Sequence, residues 1–494
     1  MNYTVKYLVD NKTYQNESEF LKIDFQCTDK SIKLVLHPQK EIILLEARIN
    51  FNDSQEKNEY FYSNGYQSWT DTLEESRKDK TKKLGILARC PLVEKKFHIK
   101  AYGDYPFIEY HKHYSFSFTY LRNQDNYRFY GSLNERTGYT VFYLEKNSLK
   151  AYKDIKNLHL KSTYDLFDIA LFKGKENEVF DAYMNSFTKK IKITKKIKGF
   201  TTWYRHYENI NEDIIRKDLE DAKNADIGLE FFQVDDGYET YVGDWTAINK
   251  EKFPHGLKQL AKNISEAGFK PGLWLAPFVA SPKSNLFKKH PDYFLKDNKG
   301  HFIYAGCNWS GAYILDIYNS GVREYLHSVF SELKDDGFIL FKLDFLYAVS
   351  LGQRTDKTRG QVMSDAMDFL RKELEDRLIL GCGVPLFPAF FDVDYCRIGA
   401  DISLNWDGPW YMKLVSKERV SSKQSRLNTI NRKNLDHRFL LNDPDVILLT
   451  ETKMSEKQRL SIYETDKKYG SVFFTSDNLS LYTEKEKKLF RELN

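Results

Sequence analysis

Cysteine is scarce in this 494-residue chain, and its spacing excludes two kinds of stabilised small fold. The five cysteines are an odd number, and no two of them form a C-x-x-C pair. A disulfide framework and a structural zinc site both need paired or clustered cysteines. We therefore expect reduced thiols in a cytoplasmic protein, at Cys27, Cys90, Cys307, Cys382 and Cys396.

Long apolar runs and a strong charge of one sign are also missing. No run approaches roughly 18 consecutive apolar residues, and the N-terminal MNYTVKYLVDNKTYQNESEF has no apolar core of signal-peptide length. This predicts a soluble protein with no membrane partner. The 75 basic and 70 acidic residues are spread along the chain and leave a formal charge of +5, so we expect no nucleic-acid partner.

The first part of the chain has the pattern of an antiparallel β-sandwich. Up to about residue 180, short β-branched and aromatic runs such as SIKLVLH, EIILLEARINF, HYSFSFTYL and TGYTVFYL alternate with turn residues. The basic run KKIKITKKIK, from Lys189 to Lys198, is typical of a connection between domains. We place the sandwich at residues 1–195.

After this connection the pattern changes to helix, glycine and buried strand, repeated at least three times. Apolar residues at helical spacing precede Gly228, Gly268 and Gly337, and a near-continuous apolar run follows each glycine. Such alternation predicts βα units in a parallel sheet, here an α/β fold of the (β/α)8-barrel type over residues 196–455. Residues 456–494 are predicted to be a short tail. The predicted strands are GFTTWY, LEFFQVD, GLWLAP, FILFKLD, LILGCG, CRIGAD, a seventh between Leu404 and Ile430, and VILLT.

Polar residues that end these strands are the candidate site residues, because the carboxyl ends of barrel strands face the active site. Lys342 and Asp344 lie two apart on one strand, so we expect the ammonium to keep the carboxylate ionised and lower its pKa. Asp401, with Arg397 four residues earlier, supplies a second acid at another strand end. The remaining candidates are the adjacent Asp235 and Asp236, the tryptophans Trp203 and Trp274, and Cys382.

Each candidate also has a purely structural interpretation. A single Asp after a strand is most often a helix N-cap or turn residue. Trp203 and Trp274 could be core, and Cys382 a small buried hydrophobe. Lys342 and Arg397 could each make a structural ion pair. The joint placement of these residues at strand ends favours a functional site.

Together the motifs resemble glycoside hydrolase family 36, the α-galactosidase or melibiase-like group in one clan with family 27. The barrel motifs run in that family's order over about 250 residues, and NGYQSW at Asn64 to Trp69 and GSLNERTGYTVFY resemble signatures of its N-terminal β-domain. The motifs are WYRHYENI, QVDDGYE, GLWLAPF, FKLDFLYA, GCGVPL, CRIGADI and NDPDVILL.

The resemblance implies a retaining exo-glycosidase for terminal α-linked galactose that needs no metal or organic cofactor. Asp344 is implied as the nucleophile and Asp401 as the acid/base in a double displacement. The implied substrate-binding residues are Asp235 and Asp236 for O4 and O6, Lys342 and Arg397 for ring hydroxyls, Trp203 and Trp274 at subsite −1, and Cys382 facing O2. Trp69 is implied as a further aromatic contributor, in some members to a neighbouring subunit's site, which would make the protein a homo-oligomer.

Two departures from the family pattern leave the specificity open. The family usually continues into a C-terminal β-sandwich, whereas this sequence ends at Asn494, and the region from Asp407 to His437 is more charged than expected for a galactoside subsite. Within the same chemistry, an α-N-acetylgalactosaminidase differs mainly in the room beside Cys382. An alternative of another class is a catalytically inactive carbohydrate-binding protein.

Overall fold

The computed structural model of the protein describes residues 1–80, 85–104, 108, 113–145, 148–414 and 420–493. The predicted region from Asp407 to His437 therefore includes residues 415–419, which lie outside the described residues. Up to Gly174 the structure is a sandwich of two antiparallel sheets with seven strands each. Its strands are β1 (Asn2–Val9), β2 (Lys12–Gln15), β3 (Leu21–Cys27), β4 (Ser31–Pro38), β5 (Ile42–Ser54), β6 (Tyr60–Ser63), β7 (Leu73–Glu75), β8 (His113–Phe116), β9 (Phe118–Asn123), β10 (Asn126–Ser132), β11 (Thr140–Glu145), β12 (Ser148–Lys153), β13 (Leu158–Leu160) and β14 (Tyr164–Gly174).

The two sheets of the sandwich bury one face each against the other. One has the order β2-β1-β5-β12-β11-β8, with β13 also paired to β5, and the other has the order β3-β4-β14-β10-β9-β6-β7. Along β4 the side chains of Ile32, Leu34 and Leu36 are buried and alternate with more exposed neighbours. This two-residue period directs one face of each strand into a shared apolar core. The predicted β-sandwich is confirmed.

The second part of the chain is an eight-stranded parallel barrel that starts at Ile197. Its sheet order is β24-β23-β22-β21-β17-β16-β15-β25, and the seam is closed by hydrogen bonds from the Ser471 amide to the Asn442 carbonyl and from the Ile447 amide to the Phe474 carbonyl, both 2.8 Å. A small antiparallel sheet of β18, β20 and β19 is inserted between β17 and β21. The strands are β15 (Ile197–Thr201), β16 (Phe231–Val234), β17 (Lys270–Leu275), β18 (Val279–Ala280), β19 (Tyr304–Gly306), β20 (Ala312–Ile314), β21 (Leu340–Leu343), β22 (Leu378–Gly381), β23 (Tyr395–Arg397), β24 (Leu441–Asp443) and β25 (Val472–Thr475).

Amphipathic helices connect the barrel strands, as the 3.6-residue period predicts. Several of them begin at side-chain caps, for example Asn211, whose Oδ1 accepts a hydrogen bond from the Ile214 amide at 2.8 Å. None of the described helices is long and apolar enough to cross a membrane. The helices are α1 (Pro91–Phe97), α2 (Glu176–Asn185), α3 (Trp203–His206), α4 (Glu212–Ala225), α5 (Gly256–Glu266), α6 (Asn285–Lys289), α7 (Ser320–Asp335), α8 (Arg359–Leu374), α9 (Leu386–Ala389), α10 (Ser422–Asn431), α11 (Glu456–Tyr469) and α12 (Glu484–Arg491).

The barrel prediction is confirmed in class and in its first six strands, but the last two strands were misplaced. The seventh strand is β24, not a segment between Leu404 and Ile430, and the eighth is β25, not VILLT. Residues 456–494 are therefore not a tail, because α11, β25 and α12 complete the barrel. The short apolar run SVFFTS supplies this closing strand, and β24 has only three residues, too few for a periodicity to show.

Candidate active site

A cavity of about 340 Å³ lies where the barrel strands end at their carboxyl termini. Eight of the ten site residues predicted from the sequence lie on its wall, and the other two, Cys382 and Arg397, lie behind it with 1% and 2% exposure. The lining residues are Trp69, Tyr102, Trp203, Glu208, Asp235, Asp236, Trp274, Asn308, Trp309, Lys342, Asp344, Phe345, Ala400, Asp401 and Val420.

Asp344 follows β21 directly and is held rigidly. Its Oδ1 accepts a hydrogen bond from the Phe345 amide at 2.8 Å, and its Oδ2 accepts one from the Trp274 indole at 3.1 Å. Two opposing effects act on the pKa of Asp344. Burial raises this pKa, and the nearby Lys342 ammonium lowers it by a smaller amount. The predicted lowering of this pKa is therefore wrong in its net direction, because desolvation of the carboxylate outweighs the neighbouring cation.

Lys342 forms its ion pair with Asp235 and not with Asp344. The Lys342 Nζ lies 2.8 Å from the Asp235 Oδ2, and the same oxygen accepts a hydrogen bond from Gln233 at 3.0 Å. Both side chains of the ion pair are largely buried. Lys342 lies on β21 and Asp235 directly follows β16, and β17 lies between these two strands, so the lysine reaches across one strand. The result is a fixed cation and a fixed carboxylate on one side of the cavity.

Asp401 is the more open of the two predicted catalytic acids, with 38% of its side chain exposed. Its Oδ1 lies 3.1 Å from Arg397 Nη2. The same Arg397 nitrogen lies 2.8 Å from the Oδ2 of Asp445, a second buried carboxyl. Asp401 and Asp344 also interact electrostatically, since the charge of Asp401 contributes to raising the pKa of Asp344. The two acids thus lie on one cavity wall in different surroundings.

Asp236 binds an aromatic neighbour that the sequence did not single out. Its Oδ2 accepts a hydrogen bond from the Trp309 indole at 2.8 Å. Burial, followed by the carboxyl of Glu239, raises the pKa of Asp236. A carboxyl that holds a proton easily can both donate to and accept from a sugar hydroxyl. Trp309 packs in turn on Trp274, with ring centroids 5.9 Å apart, and on Phe345 at 4.7 Å.

The loop that carries Trp69 comes from the sandwich and enters the barrel of its own chain. The Ser68 amide donates to the Val384 carbonyl at 2.9 Å, and the Trp69 indole donates to the Cys382 sulfur at 3.3 Å. Burial raises the pKa of the Cys382 thiol well above its ordinary value, so this group is a neutral thiol. The Trp69 ring therefore fills the space in front of Cys382. The loop thus contacts the cavity of its own chain.

Gly383 allows the close approach of Trp69, which predicts a specific effect of adding one methyl group. Its φ is +54°, and a Cβ there would lie 3.0 Å from the Trp69 ring and 3.1 Å from the Phe345 amide nitrogen. We expect Gly383→Ala to lower the free energy of unfolding by about 2 kcal/mol, measured by denaturant titration, from backbone strain and overpacking. Gly300→Ala is the matched control, because Gly300 also has a positive φ but no atom within 4 Å of its Cβ position. Equal losses in the two variants would show that the Trp69 contact contributes nothing.

Comparison with known proteins identifies the type of barrel. Residues 179–350 match the family model described as Melibiase, a range that includes the first four barrel strands and Asp344. This stretch of the chain is therefore similar to melibiases. The resemblance to glycoside hydrolase family 36 is thereby confirmed.

Two curated proteins similar to this chain are named as α-galactosidases. Alpha-galactosidase Mel36A of Lactobacillus acidophilus is 30% identical over 182 residues, which is 35% of this chain and 23% of that protein. Alpha-galactosidase AgaA of Geobacillus stearothermophilus is 38% identical over 100 residues, 19% of this chain and 13% of its own. The chain thus matches less than a quarter of the length of these relatives.

Solved structures share the fold over nearly the whole chain. The α-galactosidase TtGalA from Thermus thermophilus, in complex with stachyose, has a TM-score of 0.77 and 24% identity over 99% of both chains. The structure of AgaA has a TM-score of 0.65 and 12% identity, over 99% of this chain and 74% of that one. Sandwich and barrel therefore recur together in proteins of this fold.

Several residues around the cavity were missed by the sequence interpretation. They lie away from the strand ends, in short 3-10 helices or in loops, and are Tyr102, Glu208, Asn308, Trp309 and Val420. Only one sequence signal was available for Trp309, namely a tryptophan before Gly311 in CNWSG, where a turn is expected. Glu208 lies within the WYRHYENI motif, and no such signal exists for Tyr102, Asn308 and Val420.

Proposed function

We propose that the protein is a retaining exo-glycosidase that hydrolyses terminal α-linked galactose. One observation carries this proposal: Asp344 and Asp401 lie on the wall of a single cavity that also presents the Asp235–Lys342 ion pair and Asp236. Paired carboxyls of this kind are the machinery of glycoside hydrolysis. The names of the relatives, and the stachyose bound to TtGalA, support α-galactosides as the substrate class.

In the proposed mechanism the two acids have different tasks. An Asp344 oxygen attacks the anomeric carbon as the bond to the leaving oxygen breaks, and Asp401 gives its proton to that oxygen. Water then attacks the anomeric carbon of the covalent intermediate, Asp401 takes the proton from that water, and Asp344 is released. The hydrogen bonds from Trp274 and the Phe345 amide hold the Asp344 carboxylate in place for attack.

The binding roles follow from which side chains present free faces to the cavity. Asp235, Asp236 and Lys342 are proposed to bind sugar hydroxyls, and Trp203, Trp274 and Trp69 to contact the apolar face of the ring. Cys382 and Arg397 are buried behind the wall, so we propose that they act through Trp69, Asp344 and Asp401.

Galactose is favoured over N-acetylgalactosamine by the position of Trp69. One relative, the A type blood α-D-galactosamine galactosaminidase of Flavonifractor plautii, is 32% identical over 146 residues, 28% of this chain and 13% of its own. An acetamido group at C2 would need room beside Cys382, where the Trp69 indole lies 3.3 Å from the sulfur. Turnover is favoured over sugar binding alone because both acids are retained on the cavity wall.

The test of this function is hydrolysis of four p-nitrophenyl glycosides by the wild type: the α-galactoside, the α-N-acetylgalactosaminide, the α-glucoside and the β-galactoside. The proposal predicts selective turnover of the α-galactoside. Preference for the α-N-acetylgalactosaminide would contradict the proposed galactose specificity but would not affect the proposed mechanism. Absence of turnover for all four glycosides, and for melibiose and raffinose, would contradict enzymatic function and favour a binding protein.

The pH dependence of activity should report the charge balance at Asp344. The nucleophile works ionised and burial raises its pKa, so activity should be lost on acidification at a higher pH than for an ordinary carboxyl. Because Lys342 lowers this pKa, Lys342→Met should move the acid limb of kcat/KM to higher pH by roughly one unit. Asp235→Asn keeps the Lys342 ammonium and removes a negative charge, so the acid limb should stay in place or move to lower pH. An unmoved limb in Lys342→Met would show that Asp344 does not set it.

A cytoplasmic location and a homo-oligomer stay proposals. The first is supported by the five free cysteines, of which Cys27 and Cys307 are exposed. The second is supported only by the family resemblance, since the Trp69 loop already contacts the barrel of its own chain.

A further inference from the structure

Asp445 is a buried carboxyl of the NDPDVILL motif and lies outside the proposed catalytic and sugar-binding residues. It is 5% exposed and follows β24, close behind the wall that carries Asp401. Its Oδ2 accepts hydrogen bonds from Arg397 Nη2 at 2.8 Å, from the Ile402 amide at 2.9 Å and from the Tyr204 hydroxyl. Three donors therefore converge on one oxygen. Such convergence fixes a carboxylate in one position.

The backbone at this position is unusual for a residue other than glycine. Asp445 has a φ of +94°, and its amide donates to the Asp443 Oδ1 at 2.9 Å. A residue in this region is retained only where surrounding contacts over-determine it, and strain of this kind is concentrated at functional sites. The contact to the Ile402 amide also links Asp445 to the residue after Asp401.

Arg397 is shared between two carboxyls, and this sharing has a chemical consequence for Asp401. One guanidinium nitrogen lies 2.8 Å from Asp445 and 3.1 Å from Asp401. If Asp401 were the sole partner of this cation, the ion pair would favour its ionised form, which cannot act as an acid. A second carboxylate on Arg397 offsets that charge.

We propose that Asp445 is a positioning residue that neutralises Arg397, so that Asp401 can carry the proton given to the leaving group. This inference rests on the proposed function. Among the described residues, the titratable groups that interact electrostatically with Asp401 include Asp344, Cys382, Tyr204, Arg397 and Asp445. Those that face Asp445 are Asp401, Arg397, Tyr204, Asp443 and Asp466.

The test is the substitution Asp445→Asn. Asparagine keeps the shape of the side chain and an oxygen that accepts from the Ile402 amide, and it is tolerated at positive φ. We expect the basic limb of kcat/KM for methyl α-galactoside to move down by roughly one pH unit, with at least about a tenfold loss above neutral pH. With 2,4-dinitrophenyl α-galactoside, whose phenolate leaves without a proton, we expect a change of less than about twofold.

Asp466→Asn is the matched control, because this buried carboxyl belongs to the same acidic cluster. Burial, followed by Asp445 and Asp443, raises the pKa of Asp466 well above its ordinary value, and the carboxyl partners of Arg397 are Asp401 and Asp445. Both substrates should be hydrolysed by this variant with the wild-type pH profile. Tyr204→Phe provides a second variant in case Asp445→Asn does not fold. It removes a donor to Asp445, favours the protonated form of that carboxyl, and should move the basic limb in the same direction by less.

The outcomes separate this inference from the proposed function. If the wild type hydrolyses neither substrate, the proposed function fails and the inference fails with it. If the wild type hydrolyses both, but Asp445→Asn loses both equally with an unmoved basic limb, then Asp445 is merely structural and only the inference is overturned. An unmoved limb in Tyr204→Phe overturns it in the same way.

Discussion

Asp344→Ala is expected to lower kcat by at least about 10⁴-fold on every α-galactoside, the scale seen when a catalytic nucleophile is removed. The loss should be the same for good and poor leaving groups, because attack on the anomeric carbon is lost for both. The protein should still fold, because Asp344 lies at a strand end and burying its carboxylate is energetically unfavourable, so its removal takes little stability away. We expect a change in Tm of no more than about 3 °C by calorimetry.

Added azide gives the Asp344→Ala variant a distinctive product. With an activated aryl α-galactoside, azide should enter the vacated side, form a bond to the anomeric carbon and expel the phenolate, which yields β-galactosyl azide. Asp344→Asn keeps the side-chain shape and one of the two oxygens that accept from Trp274 and the Phe345 amide, and serves as the control for local structure. Wild-type kcat in either variant would show that Asp344 is not the nucleophile.

Asp401→Ala is expected to depend strongly on the leaving group. Loss of a general acid lowers rates by about 10² to 10⁴-fold where the leaving oxygen needs a proton, so melibiose and methyl α-galactoside should be hydrolysed very slowly. With 2,4-dinitrophenyl α-galactoside the first step should persist and the covalent intermediate should accumulate, because no base activates the water. Steady-state and burst kinetics on the two substrate types measure this.

Azide should rescue the second step of Asp401→Ala with the opposite stereochemistry from Asp344→Ala. It attacks the intermediate on the face opposite Asp344 and gives α-galactosyl azide, identified by NMR. Formation of the same anomer by both variants, or equal losses on all leaving groups in Asp401→Ala, would contradict the assignment of the two roles. Glu208, which also lines the cavity and is exposed, is the control, and Glu208→Ala should keep the wild-type dependence on the leaving group.

Much of this site could be predicted from the sequence because its residues follow buried strands directly. An apolar run that ends in Asp, as in FFQVDD and ILFKLD, places the acid at the carboxyl edge of the barrel without further information. Asp235, Asp236 and Asp344 were found in this way, and the structure brings them together around one cavity.

Partnerships within the site could not be predicted in the same way. The spacing of Lys342 and Asp344 suggested a direct pair, but the ammonium binds Asp235 on a strand two positions away in the sheet. Such pairing depends on the register and curvature of the barrel, which spacing along one strand does not contain. The net pKa direction at Asp344 was wrong for a related reason, because burial is a property of the folded protein.

Loops and very short strands marked the other limit of the sequence interpretation. Trp309 reaches Asp236 from a loop with a φ of +54°, a conformation that no periodicity reveals. The strand β24 has three residues, and β25 lies beyond the position where the barrel was expected to end. The sequence therefore did not predict the positions of β24 and β25, although it predicted the total of eight strands correctly.

The stereochemistry of the first-formed sugar tests the central claim most directly. Wild-type hydrolysis of p-nitrophenyl α-galactoside, followed by proton NMR from the first minutes, should show α-galactopyranose first and the β anomer only later by mutarotation, because two displacements at one carbon restore its configuration. Initial release of β-galactopyranose would require a single displacement by water. That result would contradict Asp344 as a covalent nucleophile.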